Sequence, residues 1–141
     1  MRVNRNLQPT FPMPICTIQS TSLSPDTRKL LAAQLTEALQ SAFQLDGEYQ
    51  IFFNEYAPNA VSHNGTLAAP CLPIFSAECP PIPVERKEVL VKKITELLKA
   101  AYSSSDAMMF FRQYPLENVA KSGLLLSRQR ERIETATGVH A

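Results

Sequence analysis

The chain repeats itself at a spacing of 59 residues. Pro14-Ile15 recurs as Pro73-Ile74, Leu31 as Leu90, Leu35 as Ile94 and Thr36-Glu37 as Thr95-Glu96. Leu39 recurs as Leu98, Ala42-Phe43 as Ala101-Tyr102, and Ile51-Phe52 as Phe110-Phe111. One offset aligns all these pairs without a gap. A repeat of this length makes two copies of one supersecondary unit. Whatever the first half folds into, the second half folds into as well, and the 141 residues suit a single domain.

Each copy reads as strand, helix, strand. Residues 14–20 are short, apolar-rich and bounded by turn residues. Ser24-Pro25-Asp26 is a helix start: Ser24 caps free amides, Pro25 suits the first helical position, and Asp26 favours the positive end of the dipole. Leu31, Leu35, Ala38, Leu39 and Ala42 then recur at helical spacing, and the helix is expected to end near Phe43. Residues 49–56 form an aromatic-rich second strand. In the second copy, strand 72–78 leads through Pro80-Pro81-Ile82-Pro83 into a helix whose apolar face is Leu90, Ile94, Leu97, Leu98 and Ala101. Strand 107–114 follows. The repeat units therefore span 14–56 and 73–115, within a domain of residues 14–126. An extension, 1–13, precedes it and a polar tail, 127–141, follows it.

A single helical crossover makes two parallel strands with right-handed connection. Two units join into a four-stranded sheet with both helices on one face, an α+β fold. The other face is left uncovered. The runs IFF and MMFF put apolar side chains on both faces, and the chain has no third helix to cover the second one. Self-association through that face is the expected solution.

Fourteen Lys and Arg against 13 Asp and Glu give a formal charge of +1, so no basic footprint for nucleic acid exists. No apolar run approaches a membrane span. Only four glycines argue against a glycine-rich phosphate loop. Cys16, Cys71 and Cys79 suit reduced thiols rather than a disulfide framework. With His63 and His140 as the only histidines, they lack zinc-ligand spacing, and no metal is expected. His63 and Asn64-Gly65-Thr66 read as an exposed turn, and Gly123 as a second tight turn. Residues 1–13 have no secretory core, so the expected compartment is cytoplasmic. The alternative is organelle import through Arg2 and Arg5.

Met13-Pro14-Ile15, the Pro25-led helix with Leu35-Thr36-Glu37-Ala38, and the duplication resemble the tautomerase superfamily, which includes macrophage migration inhibitory factor. The segment Phe110 to Leu126 is similar to the branch typified by cis-3-chloroacrylic acid dehalogenase. The resemblance implies a cofactor-independent tautomerase, an isomerase, assembled as a homotrimer. It would move a proton on a 2-oxo or enol carboxylic acid with an amino-terminal proline. That proline would be Pro14. A proline nitrogen within a chain is an amide and has no basic lone pair; at a terminus it is a secondary amine able to act as a general base. Two readings follow. Either translation starts at Met13 and Pro14 is exposed, which the unpatterned extension favours, or the extension belongs to the protein and the proline chemistry is absent. In the second case the chain is a non-catalytic trimeric binding or structural module.

The family's other active residues carry over poorly. Its first-helix histidine matches Leu39, its arginine pair falls in the arginine-free stretch Cys79–Pro83, its last-strand tyrosine matches Phe110, and its water-activating glutamate matches Lys121. Loss of that carboxylate argues against hydrolytic dehalogenation. Tautomerisation needs fewer parts: one base, one cation and an apolar wall. Arg112 reads as a carboxylate clamp or a solvated edge charge. Lys121 is a second candidate cation, and Phe110 a candidate pocket wall or core residue.

Overall fold

Ser24 caps the first helix as its sequence promises. Its side chain accepts from the Thr27 amide at 3.2 Å, and Pro25 opens the helix. This is seen in a computed structural model of the protein, which describes residues 14–44 and 47–128. The expected extension and the tail beyond Arg128 lie outside the described residues. Strand β1 (Ile15–Ser20) leads into helix α1 (Pro25–Phe43) and strand β2 (Gln50–Glu55). A short hairpin follows, β3 (Ser62–His63) and β4 (Thr66–Leu67). The second copy has β5 (Ile74–Cys79), α2 (Val84–Tyr102), β6 (Met108–Gln113) and a hairpin of β7 (Ala120–Lys121) and β8 (Leu124–Leu125). Both hairpins turn at glycines with positive φ, Gly65 and Gly123, each preceded by a second residue of positive φ, Asn64 and Ser122. Two consecutive positive φ angles match the twist of a two-residue hairpin. Among the described residues, no helix is long and apolar enough to cross a membrane.

The four long strands form one sheet in the order β2-β1-β5-β6. Pairs β1/β2 and β5/β6 are parallel, and β1/β5 is antiparallel. The two units thus meet back to back through their first strands, related by an internal pseudo-two-fold axis. Cys16, Ile18, Phe75 and Ala77 on the sheet pack with Leu31, Leu35, Leu39, Leu90, Ile94 and Leu98 on the helices, all buried.

The spacing of the repeat changes partway along each unit. Ile15 pairs with Gln50 and Ile74 with Met108, so the second strands stand 58 residues apart, not 59. The connection between helix and second strand is one residue shorter in the second copy. Phe52 therefore corresponds to Phe110 and Phe53 to Phe111, which corrects the ungapped alignment of Ile51-Phe52 with Phe110-Phe111. Backbone bonds obey the corrected alignment. Gln50 N donates to Pro14 O and Met108 N to Pro73 O. Tyr56 N donates to Ser20 O and Tyr114 N to Cys79 O, each at 2.9 Å.

The uncovered face has three cross-strand rows, read from the register. The middle row is Phe52, Thr17, Ser76 and Phe110; one end row is Gln50, Ile15, Glu78 and Arg112. The other is Asn54, Gln19, Ile74 and Met108. Phe52 is 50% exposed and Phe110 45%. Phe110 thus stands on the open face; the core reading for it was wrong, because each doublet of phenylalanines divides between the two faces.

Candidate functional site

The site is built where the first strand begins. Pro14 is fully buried, and its carbonyl accepts from Gln50 N at 3.4 Å. Continuing the β1/β5 register puts Pro14 opposite Cys79, whose partner on the next strand is Gln113. Ile15, the next residue, shares the end row of the open face with Arg112. Arg112 is exposed, and its guanidinium lies over the Phe110 ring, 5.8 Å from the centroid. Lys121 reaches the same end from the second hairpin, with Nζ 3.4 Å from Glu48 Oε2, two residues before β2. Three of the four expected site residues, Pro14, Arg112 and Lys121, are therefore gathered at one end of the sheet, and Phe110 lies beside Arg112. Leu39, at the position of the family's histidine, is core.

Two groups at this end, Lys87 and Tyr114, escape sequence reading, and the thiols Cys79 and Cys16 lie with them. Lys87, in the first turn of α2, sits 5.9 Å over the Phe111 ring. Tyr114 follows β6; burial first, then Cys79 and Glu78, push its phenol up to about 12, so it is a hydrogen-bond donor throughout the physiological range. Cys79 is raised to about 11 by burial, with the Lys87 charge acting the other way. Cys16 is raised to about 12 by burial and then by Cys79. Both thiols stay neutral at ordinary pH and are poor nucleophiles. A lone Lys and a Tyr carry no spacing signal, so only the folded register reveals them.

The opposite end of the sheet, related by the pseudo-two-fold axis, is closed. Glu55 at the end of β2 accepts from Leu23 N at 2.9 Å and from Arg28 Nη2 at 2.7 Å, and Arg28 Nη2 also donates to Leu23 O. The Leu23 amide, then Arg28, hold the Glu55 carboxyl below its usual value of 4.5. This contribution to stability is present above that value and is lost as pH falls through the lower folded one. We expect Glu55→Gln to cost about 1–2 kcal/mol at pH 7. In urea denaturation the difference between the two proteins should shrink as pH drops below 4.5. An undiminished difference at pH 3 would show that the charge is not what matters. His63, exposed on β3, lies near this end with Nδ1 3.2 Å from Pro70 O, as expected of a turn histidine.

A cleft of about 550 Å³ opens between α1 and α2, lined by Gln34, Glu37, Ala38, Arg86, Val89 and Lys93 among others. Its walls come from the two helices alone, and Arg86 there is engaged in capping α1, donating to Ala42 O at 2.9 Å. Size alone does not make it a reactive site.

No protein-family model matches the chain, and no curated protein matches it either. Solved structures do. A fused 4-OT, solved as an asymmetric trimer, superposes with a TM-score of 0.72 at 16% identity, covering 83% of this chain and 98% of its own. Pt0534, inactivated by 2-oxo-3-pentynoate, gives 0.72 at 14% identity over 81% of this chain and 97% of its own. N1, of the cis-3-chloroacrylic acid dehalogenase family, gives 0.65 at 16% identity over 88% of this chain and 99% of its own. At these identities the likeness is one of fold, and the fold is that of tautomerase-superfamily proteins.

Proposed function

We propose that the chain is a tautomerase-superfamily enzyme. It moves a proton between carbon and oxygen of a 2-oxo or enol carboxylic acid without cofactor, and it works as a homotrimer. What supports this is a single coincidence: in a fold shared with fused 4-OT and the dehalogenase-like N1, Pro14 heads β1 at the sheet end where Arg112 and Lys121 gather. A Pro14 freed of Met13 would carry a secondary amine there. Neighbouring cations would disfavour its protonated form and leave a base. Arg112 would hold the substrate carboxylate, its fork matching two oxygens, with Phe110 as the apolar wall beside it. Lys121 is the second cation, and a substrate must compete with Glu48 for it.

A second reading, a non-catalytic trimeric binding module, has its own observation. In this sequence Pro14 nitrogen is acylated by Met13, and the Pro14 ring is buried. The deciding experiment is the amino-terminal residue of the protein made in its own cell. Proline supports the enzyme, whereas an intact Met1-Arg2 supports the module.

Arg112 gives a sharper check in a chain beginning at Pro14. If it only holds the carboxylate, Arg112→Ala raises KM about tenfold or more and leaves kcat little changed, because the contact exists in ground and transition states alike. Arg112→Lys should restore part of the loss, since a point charge does not reproduce the fork. Unchanged constants in Arg112→Ala would reduce Arg112 to a surface charge and pass the clamp to Lys121.

A further inference from the structure

The two hairpins are twins in backbone and differ in one side chain at the tip. Asn64-Gly65 turns the first and Ser122-Gly123 the second, with φ of 52° and 83° against 56° and 79°. Asn64 alone among the asparagines of the sequence is followed by glycine; Asn4, Asn6, Asn54, Asn59 and Asn118 precede larger residues. Both turn residues of the first hairpin are exposed. Among the described residues, neither the Asn64 carboxamide nor the Gly65 amide has a hydrogen-bond partner. Apart from chain neighbours, no atom lies within 4 Å of where a side chain at Gly65 would begin. The first hairpin is also the less firmly tied. Ala68 N reaches Val61 O at 3.2 Å, whereas the matching bond of the second hairpin, Leu126 N to Val119 O, is 2.7 Å and Leu126 is buried. Ala68 itself has a φ of 61°, a strained angle for a residue with a Cβ.

We propose that Asn64 is a self-modification site, which converts to aspartyl and isoaspartyl forms with water as its only co-reactant. The Gly65 nitrogen attacks Asn64 Cγ as it loses its proton. An N–Cγ bond forms and closes a five-membered imide, the Cγ–Nδ2 bond breaks, and ammonia leaves with one added proton. Water then adds to one of the two imide carbonyls. Opening at Cγ gives aspartate; opening at the main-chain carbonyl gives isoaspartate, in which the backbone runs through Cγ. Nothing is oxidised or reduced. The attack needs the backbone to rotate out of the turn, and two features allow it. Gly65 has no Cβ to hinder the rotation, and only two residue pairs, Ser62 with Leu67 and His63 with Thr66, hold the hairpin shut. Release of Ala68 from its positive φ favours opening as well. The product adds a carboxylate to the tip, and the isoaspartyl form adds a backbone carbon to a turn of two residues. Ser122 has no carboxamide, so the second hairpin keeps its form. The site is independent of the tautomerase reading.

The test is incubation of the full chain for a month at physiological temperature, at neutral and at mildly alkaline pH, followed by peptide mapping by mass. The peptide that contains Asn64 should gain about 1 Da, or about 3 Da in oxygen-18 water, because one water oxygen replaces the amide nitrogen. The gain should be faster at alkaline pH, where hydroxide removes the Gly65 proton. The product should separate into aspartyl and isoaspartyl peptides. Asn64→Gly keeps a residue suited to positive φ and should abolish the gain without disturbing the fold. In hydrogen exchange, the isoaspartyl form should lose protection at the Ala68 amide while the Leu126 amide of the second hairpin keeps it. A chain that gains no mass, a gain that maps to another asparagine or survives Asn64→Gly, or aspartate formed without isoaspartate would each overturn the proposal.

Discussion

A chain beginning at Pro14 should ketonise the enol of phenylpyruvate at least a hundredfold faster than the chain that carries residues 1–13. The reason is the state of one nitrogen. Acylated by Met13, it is an amide and neither accepts nor donates a proton; freed, it is a secondary amine. General acid–base groups contribute about 10²–10⁴-fold, so removal of the base by acylation should cost that much. Pro14→Ala in the shortened chain keeps a terminal amine but makes it primary and more mobile, and kcat should fall within the same range. A chemical probe separates the amine from the turnover. 2-Oxo-3-pentynoate, which inactivates the similarly folded Pt0534, has an alkyne conjugated to a ketone. The Pro14 amine should add across it and increase the chain mass by one inhibitor, located on Pro14 by peptide mapping. Equal activity of the two chains would show that the Pro14 amine is not the base. Inactivity of both, with Pro14 unlabelled, would leave the binding module.

The order of elements is legible because each signal is local. Ser24, Pro25 and Asp26 define a helix start without help from the rest of the fold, and Asn64-Gly65 marks a turn, though not the two short strands that flank it. The duplication then supplies topology, since two identical crossovers leave few ways to build one sheet. The site is less legible, and the cause is one residue. With a constant spacing of 59, Glu55 falls opposite Tyr114, and nothing links Gln113 to a carboxylate. The helix–strand connection shortens by one residue, strand register depends on every residue, and the exchange of Glu55 for Gln113 becomes visible only when the strands are paired. The same slip moved Phe110 from core candidate to open face, because a shift of one residue reverses the face of every side chain in a strand. Pro14, by contrast, is singled out by the resemblance of Met13-Pro14-Ile15, which does not depend on strand register. Its burial is a property of packing that no local pattern reports.

Glutamate at both Phe52 and Phe110 should reduce the proposed trimer to monomers without unfolding the chain. Among the described residues no helix covers the open face, and its apolar side chains are partly exposed: Phe52 50%, Phe110 45%, Met108 47%, Ile15 37%. The two phenylalanines stand on opposite edge strands, β2 and β6, at the two ends of one cross-strand row. In a closed ring each copy meets its two neighbours through different patches, so a change at both edges places a carboxylate on each side of every interface. Burying an unpaired charge costs several kcal/mol, and like charges facing across the interface add to it. The association constant should therefore fall by three or more orders of magnitude, enough to shift sedimentation at micromolar concentration from about three chain masses to the single-chain 15.7 kDa. Folding should survive, because the buried residues Ile18, Phe75, Leu35 and Ile94 lie on the other side of the sheet, and the helical circular dichroism should be retained. Asn54→Ala, also on the open face but at the polar end of β2, is the matched control and should leave the mass unchanged. A wild-type chain that sediments as a monomer would remove the trimer, and a double variant that still sediments at three chain masses would move the interface away from this face.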